Sequence, residues 1–166
     1  HVRSRRQRQM CIRDSAPTLH TLRDAVAANV ERMRTATESR IMAVVKADGY
    51  GLGAVAVALA AIDAGAEWLG VTDAGDAAEL RDAGIEVPIL AWLNPAGVDV
   101  TQVVADRVDI AVGSVDELRQ LITDASSLPD GRVRVHLHMD TGMSRGGVPL
   151  EDWAELLRVA RSGRGR

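Results

Sequence analysis

Two short segments hold the residues whose types and spacing point to chemistry. The first reads Ala43-Val-Val-Lys46-Ala-Asp-Gly-Tyr50-Gly-Leu-Gly53. Of the 20 basic residues 19 are arginine, so Lys46 is the only lysine, and Tyr50 is the only tyrosine. A lysine at the end of a buried strand gives up hydration, which lowers its pKa and makes the ammonium available as an amine nucleophile or base. Schiff-base chemistry with a carbonyl cofactor is a common use of such a group. The plainer alternative is a lysine whose stem packs while its head reaches water.

The same segment also fits a dinucleotide fingerprint, Gly49-x-Gly51-x-x-Ala54, with Asp73 near the next strand end. Lys46 and Asp48 count against it, because that turn normally follows an uncharged strand. Otherwise these glycines read as a flexible reversal into a helix. The second segment is His136-Leu-His138-Met-Asp140-Thr-Gly-Met-Ser-Arg145-Gly-Gly147. His136, His138 and Asp140 alternate, so on a strand they share one face. They could hold a divalent metal, or form a solvated face beside a hydrogen-bonded loop. Arg145, in a glycine-flanked loop, is suited to an anion through its bidentate fork or to a structural salt bridge.

Both segments belong to an alternating pattern. Residues 17–36 carry apolar positions at helical spacing. A strand over 41–47 follows, then a helix over 53–64, a strand over 68–72 and a helix over 75–83. Further strands are predicted over 87–93, 109–114 and 133–140, with helices over 98–105, over 115–124 and from about 149. This alternation implies βαβ crossovers and a parallel sheet. An open doubly wound sheet and part of a (β/α)8 barrel both fit, and in both the chemistry sits at the carboxyl ends of the strands.

Composition narrows the classes. The chain has 166 residues, 46% hydrophobic and 26% charged, which fits a globular domain and excludes wholesale disorder. No run approaches the roughly 20 apolar residues of a membrane helix. Phenylalanine is absent, so the core rests on aliphatic side chains. One cysteine, Cys11, excludes an internal disulfide framework.

The ends differ from the middle. Residues 1–15 carry five arginines and one acid, and residues 158–166 add four arginines and none. Residues 16–157 hold 11 basic and 22 acidic side chains, a net charge of −11. The string RQRQMCIRDS reads as translated adapter sequence, so residues 1–15 are expected to be a non-native or disordered arm. A barrel segment is expected over 16–160, with a disordered end over 161–166. No apolar run follows the arginines, as a signal peptide would need. A basic arm for nucleic acid would require residues 1–15 to be genuine.

Taken together, AVVKADGYGLG (43–53) and HLHMDTGMSRGG (136–147) resemble the amino-terminal half of alanine racemase. The resemblance covers about 16–160, in motif, spacing and helix-first order. It implies an α/β fold: a partial (β/α)8 TIM barrel of about five of eight βα units. The family's carboxyl-terminal β domain is absent from these residues. It also implies an isomerase that interconverts L-alanine and D-alanine with pyridoxal 5'-phosphate, in the cytoplasm, supplying D-alanine for peptidoglycan.

Carried over residue by residue, Lys46 is the lysine that binds the cofactor covalently and then acts as a base on one face of Cα. Tyr50 matches the tyrosine lying against the cofactor near its phosphate. Arg145 matches the arginine directed at the cofactor's phenolic oxygen and the substrate carboxylate. The family draws its opposite-face base, a tyrosine, from a partner subunit, so a homodimer is implied for the full-length protein, with a small amino acid as substrate. No metal, nucleic-acid or membrane partner is implied. Leu52 stands where the family commonly has histidine, and His138 where many members have a lysine that orients the arginine. With one tyrosine, the chain alone is expected to be inactive, and with barrel edges uncovered, poorly soluble or partly molten. A non-racemase pyridoxal-phosphate barrel and a metal-dependent TIM-barrel hydrolase using the His-x-His strand are the alternatives.

Overall fold

The computed structural model describes residues 23–163. Five strands, β1 (Met42–Val44), β2 (Trp68–Val71), β3 (Ile89–Ala91), β4 (Val108–Val112) and β5 (Val135–Leu137), form one sheet in the order β1-β2-β3-β4-β5. Every neighbouring pair is parallel, with Ala43 opposite Leu69, Leu69 opposite Ile89, Ile89 opposite Val108 and Ile110 opposite Val135. Each crossover therefore steps one strand in the same direction. An open doubly wound sheet reverses its strand order at a switch point, and this sheet has no reversal. The progression is that of a (β/α) barrel wall.

Helix α1 (Arg23–Ala36) precedes the sheet; α2 (Ala54–Asp63), α3 (Ala74–Asp82), α4 (Val100–Ala105) and α5 (Val115–Ser126) link the strands. Helix α6 (Trp153–Ser162) follows β5 through a short 3-10 turn, Leu150–Asp152. That turn begins after Pro149, whose fixed φ of −64° suits the entry but delays the α-helix beyond the predicted start near 149. The first six residues of the helix expected over 17–36, and the arm over 1–15, lie outside the described residues.

Strand alternation sends the two faces to different solvents. Leu69, Val71, Ile89, Ala91, Ile110 and Val112 pack outward under the helices, where Ala77, Leu80, Val103 and Leu118 meet them, all nearly free of solvent. Burying each large aliphatic side chain contributes about 1.5–3 kcal/mol. The inner face carries Met42, Trp92, Trp68, Asp109 and His136. Trp92 lies against Gly70, where an added Cβ would fall 2.6 Å from Cζ2, so any larger residue there would have to displace the indole. A smaller cluster of Val30, Ala61 and Ala66 fastens α1 to α2.

The strands are shorter than the apolar runs that announced them. In β1, for example, Met42, Ala43 and Val44 are half-buried, and the pairing stops where the backbone turns at Lys46. Two linkers repeat one device. After β2, Asp73 accepts from the Asp76 N–H at 3.1 Å while Asp76 accepts from the Thr72 N–H at 3.0 Å. After β4, Ser114 accepts from the Glu117 N–H at 3.1 Å while Glu117 accepts from the Gly113 N–H at 2.7 Å. These reciprocal caps satisfy the first-turn donors and fix each strand-to-helix exit. At the opposite end, Arg81 donates to the carbonyls of Ile85 (2.6 Å), Asp106 (2.7 Å), Val87 (2.9 Å) and Arg107 (3.3 Å), clamping the entries to β3 and β4.

Candidate active site

The segment that follows β1 is not a flexible reversal. Val45 continues the ladder, its N–H donating to the Gly70 carbonyl at 2.9 Å. Lys46–Gly51 then form a helical turn of left-handed sense, with φ/ψ of 53°/50° at Ala47, 51°/48° at Asp48, 61°/33° at Gly49 and 60°/37° at Tyr50. Left-handed backbone costs an L-residue about 1–2 kcal/mol, and Ala47, Asp48 and Tyr50 all bear that cost.

Two features offset it. The Asp48 carboxylate accepts from the Ala54 N–H at 2.8 Å, capping α2. Gly49 lies buried against α2, where a Cβ would come within 3.2 Å of Val57 and 3.3 Å of Ala54. Backbone strain held in place by surrounding contacts is found at functional sites. Asp48 also places a negative charge at the α2 N-terminus, where a dinucleotide pyrophosphate would need to sit, so the glycine fingerprint does not operate as one.

At the start of this turn Lys46 is half-buried, and its amine makes no hydrogen bond or ion pair among the described residues. Tyr50, at the outer end of the turn, is 65% exposed.

Beyond β5, a closed loop carries Arg145. His138 donates its N–H to Val112 (3.0 Å), the Val148 N–H donates to the His138 carbonyl (2.7 Å), and the Asp140 N–H donates to the Val148 carbonyl (3.0 Å). Val148 is fully buried and pairs with Met139 in an isolated parallel bridge. Gly147, at φ 98°, is packed so closely against Asp140 that an added Cβ would lie 2.8 Å from its nitrogen. Within the loop the Asp140 carboxylate accepts from the N–H groups of Gly142 (2.9 Å) and Ser144 (3.0 Å). These bonds, with the Ser144 side chain and, to a smaller extent, the nearby His138, hold its carboxyl below the usual carboxylate range. Arg145 is exposed and makes no ion pair among the described residues, so the salt-bridge reading of it finds no partner there.

The structure thus places Lys46, Tyr50 and Arg145 all at the carboxyl ends of strands. Lys46 and Tyr50 share one turn. Arg145 stands after β5, at the other end of the strand order, and no hydrogen bond joins it to either.

The three alternating residues of the second segment have separate roles. His136 shares a 2.9 Å hydrogen bond with the buried Asp109 and meets Trp68 edge-on, ring centroids 5.7 Å apart. Asp140 is spent on its own loop, and His138 is exposed with its ring near Gly147. Among the described residues no group of three or more His, Cys, Asp or Glu side chains could hold a metal ion. Sequence reasoning missed Asp48, Asp109 and the loop-forming role of Asp140. Only Asp140 left a local sign, an aspartate two residues before a glycine, the pattern of a side-chain-to-backbone turn.

A singly wound parallel sheet, with an amine and a guanidinium at the carboxyl strand ends that find no partner among the described residues, defines part of a (β/α)-barrel wall. Residues 22–165 match the family described as alanine racemase, N-terminal domain, and the chain belongs to that family. It is 44% identical over 137 residues to an alanine racemase of Salinispora tropica, covering 82% of this chain and 37% of that protein. It is 42% identical over 145 residues to one of Thermobifida fusca, covering 84% and 38%.

Among solved structures, alanine racemase from D-cycloserine producing Streptomyces lavendulae superimposes with a TM-score of 0.81 at 40% identity, over 86% of this chain and 37% of that one. The enzyme of Streptomyces coelicolor A3(2) gives 0.80 at 36% identity, over 85% and 38%. The chain therefore spans little more than a third of the relatives it matches.

Proposed function

We propose that this chain is the cofactor-binding part of an alanine racemase, an isomerase acting on a small amino acid. The observation that carries the reading is the sole lysine, Lys46, held by a strained left-handed turn at a strand's carboxyl end with its amine unspent. The donor set suits pyridoxal 5'-phosphate: one amine for an aldehyde, one unpaired guanidinium for an anionic oxygen, and one exposed phenol.

When bound, pyridoxal 5'-phosphate supplies a conjugated ring that takes up the electron pair left at the substrate Cα. Lys46 would hold the cofactor through its Nζ, and the same amine would remove or return a proton on one face of the substrate Cα. Arg145 would offer its guanidinium to an anionic oxygen of the cofactor or to the substrate carboxylate. Tyr50 would offer its ring and hydroxyl to the cofactor.

Racemisation needs a second proton transfer from the opposite face. The resemblance to alanine racemases implies a tyrosine in that role, and the one tyrosine here, Tyr50, is already assigned, so the reading takes that group from outside these 166 residues. A homodimer whose second subunit supplies it, working in the cytoplasm to make D-alanine for peptidoglycan, completes the proposal. No helix among the described residues is long and apolar enough to cross a membrane.

Borohydride reduction of the chain with pyridoxal 5'-phosphate, followed by peptide mapping, tests the reading. The expected label is on Lys46, lost in Lys46→Ala. A folded chain that takes no label there refutes it.

A further inference from the structure

Arg145 reaches its place through a chain of contacts whose centre is Asp140. The carboxylate is not spent on the neighbouring guanidinium. It turns back to accept the N–H groups of Gly142 and Ser144, and Ser144 is the residue immediately before Arg145. Ser144 has a φ of 53° and Gly142 one of 120°, so the chain here is bent in a sense that a serine does not adopt without support. The Asp140 backbone meanwhile pairs with Val148 to close the loop's neck. Gly147 packs against Asp140, and Gly113 at the end of β4 lies so near Gly147 that its Cβ would come within 3.2 Å. One residue thus ties the apex of the loop to a neck seated on β4 and β5.

We infer that Asp140 is a positioning residue, which holds the 140–148 loop in the form that presents Arg145 to the cofactor and substrate carboxylate. The inference rests on the cofactor reading of Lys46 and Arg145 and adds to it the group that acts through Arg145. The same two N–H groups, with the Ser144 side chain, favour the charged form of the carboxyl and hold its pKa down. The charge on Arg145 in turn stays free for a ligand, because the nearest carboxylate in sequence is already engaged.

The test is a double-mutant cycle on the affinity for pyridoxal 5'-phosphate, read by absorbance titration and borohydride trapping at Lys46. Asp140→Ala and Arg145→Gln are each expected to weaken binding about tenfold, the size of a lost charge-assisted bond. The double variant should be no worse than either alone, because both remove the same interaction. Asp140→Asn, which retains an oxygen acceptor without the charge, should recover only the part of the loss that does not depend on charge. Amide exchange at Ser144 should quicken in Asp140→Ala while the core amides of β4 keep their protection, which separates local release from unfolding.

Additive losses in the cycle, or wild-type affinity in Asp140→Ala, overturn the inference and leave the cofactor reading standing. A wild-type chain that is not labelled at Lys46 removes both.

Discussion

Asp48 Oδ1 accepts the backbone N–H of Ala54 at 2.8 Å, so a carboxylate inside the left-handed turn also caps the helix that the turn feeds. One bond therefore couples the backbone beside Lys46 to the packing of α2 on the sheet. Asp48→Ala should cost about 1 kcal/mol, within the range for a lost N-cap of roughly 0.5–2 kcal/mol. Asp48→Asn should cost much less, because its oxygen still accepts. Urea midpoints of the two variants check the order, and equal losses would show that the cap contributes nothing.

Gly49 and Gly51 separate backbone from packing. Both have positive φ, 61° and 79°, yet a Cβ on Gly49 would crowd Val57 and Ala54 while one on Gly51 meets nothing within 4 Å. Gly51→Ala should lose only the conformational term, about 1 kcal/mol. Gly49→Ala should lose that plus an overpacking term, about 2–4 kcal/mol altogether. Thermal melts measured side by side decide it, and a Gly51 variant as damaged as the Gly49 variant would contradict the packing argument.

Arg81 spends its guanidinium on four backbone carbonyls at the entries to β3 and β4. Burial and the neighbouring Arg107 lower its pKa from the usual arginine value. A lysine offers one donor centre and cannot span those acceptors. Arg81→Lys is accordingly expected to destabilise by about 2–4 kcal/mol, leaving carbonyls unpaired at the edge of the core. Chemical denaturation followed by two optical probes would reveal the loss, and a change under about 0.5 kcal/mol would place Arg81 with ordinary surface residues.

Acid should release the Arg145 loop later than a free aspartate would titrate. The N–H groups of Gly142 and Ser144 depress the Asp140 pKa, so the loop's stabilisation is present above the unfolded value, about 4. It is lost only as pH falls through the lower folded value. The amide shifts of Gly142 and Ser144 followed by NMR should share a midpoint below that of aspartate in a short peptide. A midpoint at or above the peptide value would remove the hydrogen-bonded carboxylate from the picture.

The order of helices and strands was legible because short apolar runs, punctuated by glycines such as Gly65 and Gly84, alternate with Ala-rich and amphipathic stretches. Strand lengths were less legible. The run 87–93 contains only Ile89–Ala91 as strand, because hydropathy does not mark where a partner's ladder stops. The left-handed turn had glycines as its only local sign. Positive φ at Ala47, Asp48 and Tyr50 is set by α2 and by Asp48's cap six residues ahead, a contact outside any short-range pattern. Likewise His136 looked like a partner of His138 and Asp140 by alternation, whereas its bond is to Asp109, 27 residues earlier on the neighbouring strand. Lys46, Tyr50 and Arg145 stood out by rarity and setting, while the carboxylates that shape their backbones did not.

Trp68 stands edge-on to His136, with the guanidinium groups of Arg40 and Arg134 each 5.7 Å from its ring. Arg134 reaches in turn to Asp109, at 3.4 Å, so the indole touches groups from both ends of the sheet order. The indole is consequently a built-in optical gauge of strand registry. Slippage of β5 would strip away the imidazole and one cation together, and the emission would move toward the red as water replaced them. With Trp92 and Trp153 replaced by phenylalanine, the colour of the remaining ring would report whether the wall that carries Lys46 and Arg145 is still whole.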